Sequence, residues 1–201
     1  IDGCVIGSIV NSVPFWALTK NPNVPQITNA AMLAPYSVAT FSAPSTAYTV
    51  QTEMFKEANL PTNIRQGAFG TLLPMLDTGN SFADKYPDFT FTGITTSKKT
   101  IDEKPEIVQH FINAITKAEK FAHEYPDSAA YYMAELYPDV NKNIIAQAIK
   151  RMVDSNTLPQ NAVISPEAWK QAVALRHRMG DLKSLDNIES VLDMNFAEKA
   201  R

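Results

Sequence analysis

One stretch, Tyr36 to Gly79, constrains the fold more than any other. Its opening, Tyr36 to Phe41, is β-branched and aromatic with rough alternation, which predicts a strand. Ser42-Ala43-Pro44 stops that strand. Ser45 or Thr46 then caps a helix on which Tyr48, Val50, Gln51, Met54, Phe55 and Ala58 recur at helical spacing. Asn59-Leu60-Pro61 ends the helix, since proline disfavours helical geometry in the residue before it. Asn63 to Phe69 reads as a second strand, and a short helix runs from Thr71 to near Gly79. Strand, tight turn, helix, strand is the βαβ pattern of a parallel sheet, so the chain is α/β.

The first turn of this unit also carries chemistry. Three hydroxyls, Ser42, Ser45 and Thr46, surround a proline-fixed turn at a helix N-terminus. Capping uses one hydroxyl. The others, with the amides and positive dipole of the helix end, suit an anion or a polar ligand. Open α/β sheets bind ligands beyond the carboxyl ends of their strands, where this turn lies. Phe69, ending the second strand, shares that edge, and Gly67 and Gly70 let backbone approach a ligand closely.

Around this unit the chain is globular in composition, 45% hydrophobic and 19% charged. Cys4 to Val10 is a buried strand, with Cys4 in the core, and Asn11-Ser12 interrupts it before Val13 to Leu18 resumes. Pro14 makes that join an edge, bend or crossover. Phe89 to Thr96 alternates as a strand. Thr100 and Glu103 form a possible capping box, and Pro105 opens a long helix. Its expected apolar stripe is Ile107, Val108, Phe111, Ile112, Ile115, Ala118, Phe121 and Ala122. Further helices are expected over Ala129 to Leu136, over Asn143 to Val153, and from Ser165-Pro166-Glu167 to a cap at Gly180. Leu182 to Arg201 reads as short helical pieces.

Several chemistries find no anchor. The net charge of −3 and the lack of a basic stripe exclude nucleic acid as the expected partner. A single cysteine excludes an internal disulfide, and no Cys pair or His-Glu-x-x-His run supports a metal. No cofactor is expected. His110 and His123 lie thirteen positions apart on the long helix, and His177 sits between two arginines. Gly-x-Ser-x-Gly is absent, and Gly67-Ala68-Phe69-Gly70 is not a phosphate loop. Glu53, Glu57 and Asp77 read as helix-surface groups, and Glu119 with Lys120 as an exposed ionic face.

The chain resembles the substrate-binding proteins of ABC importers for nitrate, sulfonate, taurine and thiamine precursors, the NMT1/THI5-like group. The resemblance is carried by Val38 to Tyr48, by Gly67 to Pro74, and by Phe91-Thr92-Gly93-Ile94-Thr95 followed by Lys104 to Val108. It implies a two-lobed, type II periplasmic-binding-protein-like fold with a helical C-terminal region. Lobe one would hold residues 1–35 and 88–201, and lobe two residues 36–87. It implies Asn11 as a lobe-one ligand contact, Phe15 or Trp16 as a cleft wall, and Ser42, Ser45, Thr46 and Tyr48 as lobe-two contacts. A short helix near Ile27 to Leu33 is also implied, followed by a turn where Ala34-Pro35 replaces the usual glycine. Asn80 to Pro87 is too short for the crossover the group carries there, so a mid-chain and an N-terminal segment are expected to be missing. An intact mass equal to 22.2 kDa would refute that.

The implied function is extracytoplasmic, periplasmic or at the cell surface. A monomer would bind a small solute without covalent chemistry and deliver it to an ABC permease in the membrane. A sulfonate or nitrate suits the helix-end donors, although no arginine lies near the turn. A thiamine-type heterocycle would need a stacking partner such as Trp16, Tyr48 or Phe69. An enzyme resembling the fungal pyrimidine synthase is the alternative. That enzyme carries a cysteine cluster and a histidine, whereas this chain has one Cys and no His before His110. A ligand-sensing domain on the same fold is a further alternative.

Overall fold

The computed structural model describes residues 2–11, 22–62, 65–67 and 89–201. The strand expected to resume at Val13, the short helix from Thr71 and Asp77 lie outside these residues. The chain divides into two compact units, Ile1–Pro14 with Lys85–Arg201 as unit 1 and Phe15–Asp84 as unit 2.

Unit 2 contains the βαβ element. Strand β2 (Ala39–Phe41) leads through the Ser42–Pro44 turn into helix α1 (Thr46–Glu57), and β3 (Arg65–Gly67) returns parallel to β2. Register pairs Ala39 with Arg65 and Phe41 with Gly67. Ser45 is the N-cap, its hydroxyl accepting from the Tyr48 amide at 3.2 Å. Asn59, at φ 54°, turns the chain out of the helix just before Leu60-Pro61. The strands are shorter than the apolar runs suggest, and the short helix of this unit is a single 3-10 turn, Ala30–Leu33, capped by Asn29.

Unit 1 is built on an antiparallel pair, β1 (Gly3–Asn11) and β4 (Thr90–Ser97). Helix α2 (Lys98–Glu103) follows directly, capped by Ser97, whose hydroxyl accepts from the Thr100 amide. The cap is therefore Ser97 with Thr100, not the expected Thr100 with Glu103, because the helix starts one turn earlier. Then come α3 (Pro105–Glu124), α4 (Pro126–Leu136), α5 (Lys142–Asp154), α6 (Pro166–Arg178) and α7 (Asn195–Glu198). Prolines stand at the first positions of α3, α4 and α6, where no intrahelical N–H is needed. Ser165 caps α6, and Gly180, at φ 82°, ends it as expected.

The main core gathers Cys4 and Ile6 from β1, Ile94 from β4, Val108 and Ile112 from α3, and Ala162 and Ala197 from the distal chain. Gly7 allows close packing of α3 on β1, since a Cβ there would lie 3.2 Å from Ile112 Cδ1. A second cluster joins Ala130 and Ala134 of α4 to Ile145 of α5. No described helix is long and apolar enough to cross a membrane.

The stripe of α3 is rotated from the expected one. Val108, Ile112 and Ala122 are buried, but Ile107, Phe111 and Phe121 are exposed. Thr116 and Glu119 are buried in their place. Glu119 is thus not on an exposed ionic face, and Glu53 of α1 is likewise buried and not on a helix surface.

Candidate functional site

In unit 2 the candidate site is the turn between β2 and α1. Ser42 is exposed, and Ser45, Thr46 and Tyr48 are half-buried. Ser45 is committed to its cap, and its own amide donates to Ser42 O at 3.1 Å. The structure therefore separates the three hydroxyls by role: Ser45 fixes the turn, while Ser42 and Thr46 flank it. The pairing of Phe41 with Gly67 brings the ends of β2 and β3 side by side, so Gly67 lies at the edge that carries the turn. Trp16 and Phe69 lie outside the described residues. Behind the turn, α1 buries Thr49, Gln51 and Thr52. Gln51 Nε2 and Thr52 Oγ1 find no hydrogen-bond partner among the described residues.

In unit 1 a polar group collects where β1 ends. Asn11 is half-buried and pairs in register with Thr90 of β4. The Ser8 hydroxyl donates to Asn11 Oδ1 at 2.8 Å, which fixes the asparagine side chain. The backbone of the 157–162 segment locks onto the same strand. Ser8 N donates to Ala162 O at 2.7 Å, and Asn11 N donates to Thr157 O at 2.8 Å. The segment also ties to α3, because His123 Nε2–H donates to Leu158 O at 2.8 Å, an arrangement that fixes the tautomer.

Glu119 belongs to this corner. Each residue of an α-helix turns about 100°, so Ile112, Thr116, Glu119 and His123 share one face of α3. That face meets Gly7 and Ala162 near Ile112 and meets Leu158 at His123. Glu119 is 4% exposed and Thr116 1% exposed. Neither carboxylate oxygen of Glu119 has a hydrogen-bond partner, and nor do Thr116 Oγ1 and Thr90 Oγ1. Burial pushes the Glu119 carboxyl up to about 8 from its ordinary 4.5. Sequence reasoning missed this group because Lys117, Lys120 and Glu124 surround it in the chain. Its spacing from Ile112 and Ala122 was the available signal. Among the described residues no group of three His, Cys, Asp or Glu could hold a metal ion.

Comparison with known proteins identifies the fold. Residues 79–129 match the family model described as NMT1/THI5 like. A search of curated proteins found no match. Three solved structures superpose on 96% of the chain. The Candida albicans CA3427 gene product, which has the generic periplasmic binding protein fold, is 16% identical, with 72% of its chain covered and a TM-score of 0.58. The periplasmic aliphatic sulphonate binding protein SsuA from Escherichia coli is 12% identical, with 70% covered and a TM-score of 0.63. The alkanesulfonate-binding protein SsuA from Xanthomonas axonopodis pv. citri, bound to MOPS, is 11% identical, with 74% covered and a TM-score of 0.60. The chain has the periplasmic-binding-protein fold, and its βαβ unit and helical C-terminal region are parts of it.

Proposed function

We propose that this chain is the solute-binding protein of an ABC importer, working outside the cytoplasm as a monomer. The two units serve as lobes that take up a small molecule and present it to a membrane permease. Selective binding coupled to closure does the work, with no covalent chemistry. The observation that carries this reading is the fold match, over 96% of the chain, to two sulfonate-binding proteins. Polar groups at the strand ends of each unit support it, since α/β sheets place ligands there.

Ser42, Thr46, Tyr48 and Gly67 are the proposed contacts of unit 2, with Ser45 holding the turn, and Asn11 is the proposed contact of unit 1. Trp16 and Phe69 complete the set. Donors at the start of α1 favour a sulfonate-like or nitrate-like anion. A thiamine-precursor-like heterocycle would instead stack on Tyr48, Trp16 or Phe69.

Native and denaturing mass spectrometry of the purified protein, followed by calorimetry with ethanesulfonate, nitrate and 4-aminopyrimidine, tests the proposal. A retained small molecule, or binding of one probe that Ser42→Ala with Thr46→Ala weakens, is the expected result. No retained mass and no binding by any probe would remove the solute-binding reading.

A further inference from the structure

Buried polar groups in native proteins are almost always hydrogen-bonded, and each exception asks for a ligand, a water or a functional role. Unit 1 concentrates such exceptions at one corner. Thr116 Oγ1 and both oxygens of Glu119 lie three residues apart on the inner face of α3, and Thr90 Oγ1 lies at the start of β4, paired with Asn11. An unpaired buried carboxylate is among the most costly groups a fold can hold.

The surrounding elements do not supply a counter-charge. Along β1 the only titratable side chain is Cys4, and β4 and residues 157–162 carry none. On the shared face of α3 the neighbour is His123, whose Nε2–H is engaged by Leu158 O. An ionised carboxylate only accepts hydrogen bonds, while the two threonine hydroxyls can turn to donate or accept. Together they complement a group that brings positive charge and several N–H donors, and they disfavour an anion.

We propose that Glu119, flanked by Thr116, is the unit 1 acceptor for a protonated nitrogen group of the solute, an ammonium or an amidinium. This rests on the solute-binding reading and narrows its ligand class from plain anions to cations and zwitterions. Burial favours the neutral acid in the empty protein, so binding of a cation releases a proton and strengthens as pH rises toward 8.

The test is calorimetric titration of the full chain with ethylammonium, methylguanidinium, taurine and ethanesulfonate, at about pH 9 where the carboxyl ionises readily. Taurine differs from ethanesulfonate by one ammonium group. Taurine, or one of the two cations, should bind at least about tenfold more tightly than ethanesulfonate. Glu119→Gln should abolish that difference and leave ethanesulfonate unchanged. If Glu119→Gln does not fold by circular dichroism, Thr116→Val should weaken the nitrogen-bearing probes alone. Equal binding of taurine and ethanesulfonate, untouched by either variant, overturns the proposal and leaves the solute-binding reading standing. Unchanged affinity for every probe in a variant that has become more stable has the same meaning, with water alone at the carboxyl. No binding by any probe overturns the proposal, and an empty native mass spectrum as well takes the solute-binding reading with it.

Discussion

Replacing Glu119 by Gln should stabilise the protein at high pH and change little at low pH. Burial holds the native carboxyl at about 8 against an ordinary 4.5. The folded chain therefore keeps a proton that the unfolded chain releases. Stability is fully present below 4.5 and is lost as pH rises through about 8. A difference of that size, at about 1.4 kcal/mol per pH unit, sets a ceiling of about 5 kcal/mol on the loss. Relaxation and water entry reduce the effective penalty of a buried charge, so about 2–4 kcal/mol is the working expectation. Glutamine matches the shape of the protonated acid and cannot ionise, so the variant escapes this loss. Urea unfolding at about pH 5 and about pH 9 reads it directly, through midpoints converted with the slope of each transition. The two proteins should agree within about 1 kcal/mol at the lower pH, and the variant should lead by about 2–4 kcal/mol at the higher. An equal gap at both values would refute the assignment of a desolvated carboxyl to Glu119.

Ile112 is 0% exposed, and Ile112→Ala should cost about 3–4 kcal/mol in the same urea assay. Gly93→Ala would put its Cβ 3.1 Å from Val5 Cγ1 and 3.2 Å from Gly7 O, so β1 and β4 must part slightly. A loss of about 1–3 kcal/mol is expected in thermal or urea unfolding. Ser45→Ala removes the α1 cap and should cost about 1 kcal/mol, whereas Ser42→Ala at the exposed neighbouring position should fall within about 0.5 kcal/mol of wild type.

Local chemistry made much of this fold legible. The Ser-Ala-Pro-Ser turn, the proline-led helices and Gly180 act within a few residues, and each determined a boundary in the structure. Helix α2 escaped notice because its cap, Ser97 with Thr100, overlaps the end of a strand. The rotated stripe of α3 has a different cause. Two apolar rows run along that helix, one through Ile107 and Phe111 and one through Val108 and Ile112, and composition does not choose between them. The choice is made by Gly7 and Ala162, one at the start of the chain and one far along it. The buried role of Glu119 follows from the same choice and so was hidden with it. The hydroxyls of the unit 2 turn were visible in the sequence, but their division of labour was not, since one hydrogen bond from Tyr48 N to Ser45 decides it.

Strand β1 has consequences for how the molecule is assembled in time. Its partners are β4, the Ala162 and Thr157 carbonyls, and the far end of the chain, where Leu192 bridges to Val5 and Asp193 N donates to Val5 O at 2.8 Å. A ribosome delivers β1 long before any of these. Until they emerge, an apolar strand waits with its backbone groups unpaired, a state prone to wrong pairing. The β2–α1–β3 element closes over a short span, whereas β1 depends on contacts of very long sequence separation, which are slow to form. Nascent chains halted before residue 157 should therefore leave β1 open to protease while α1 is already protected, and equal protection of both at that length would contradict this order.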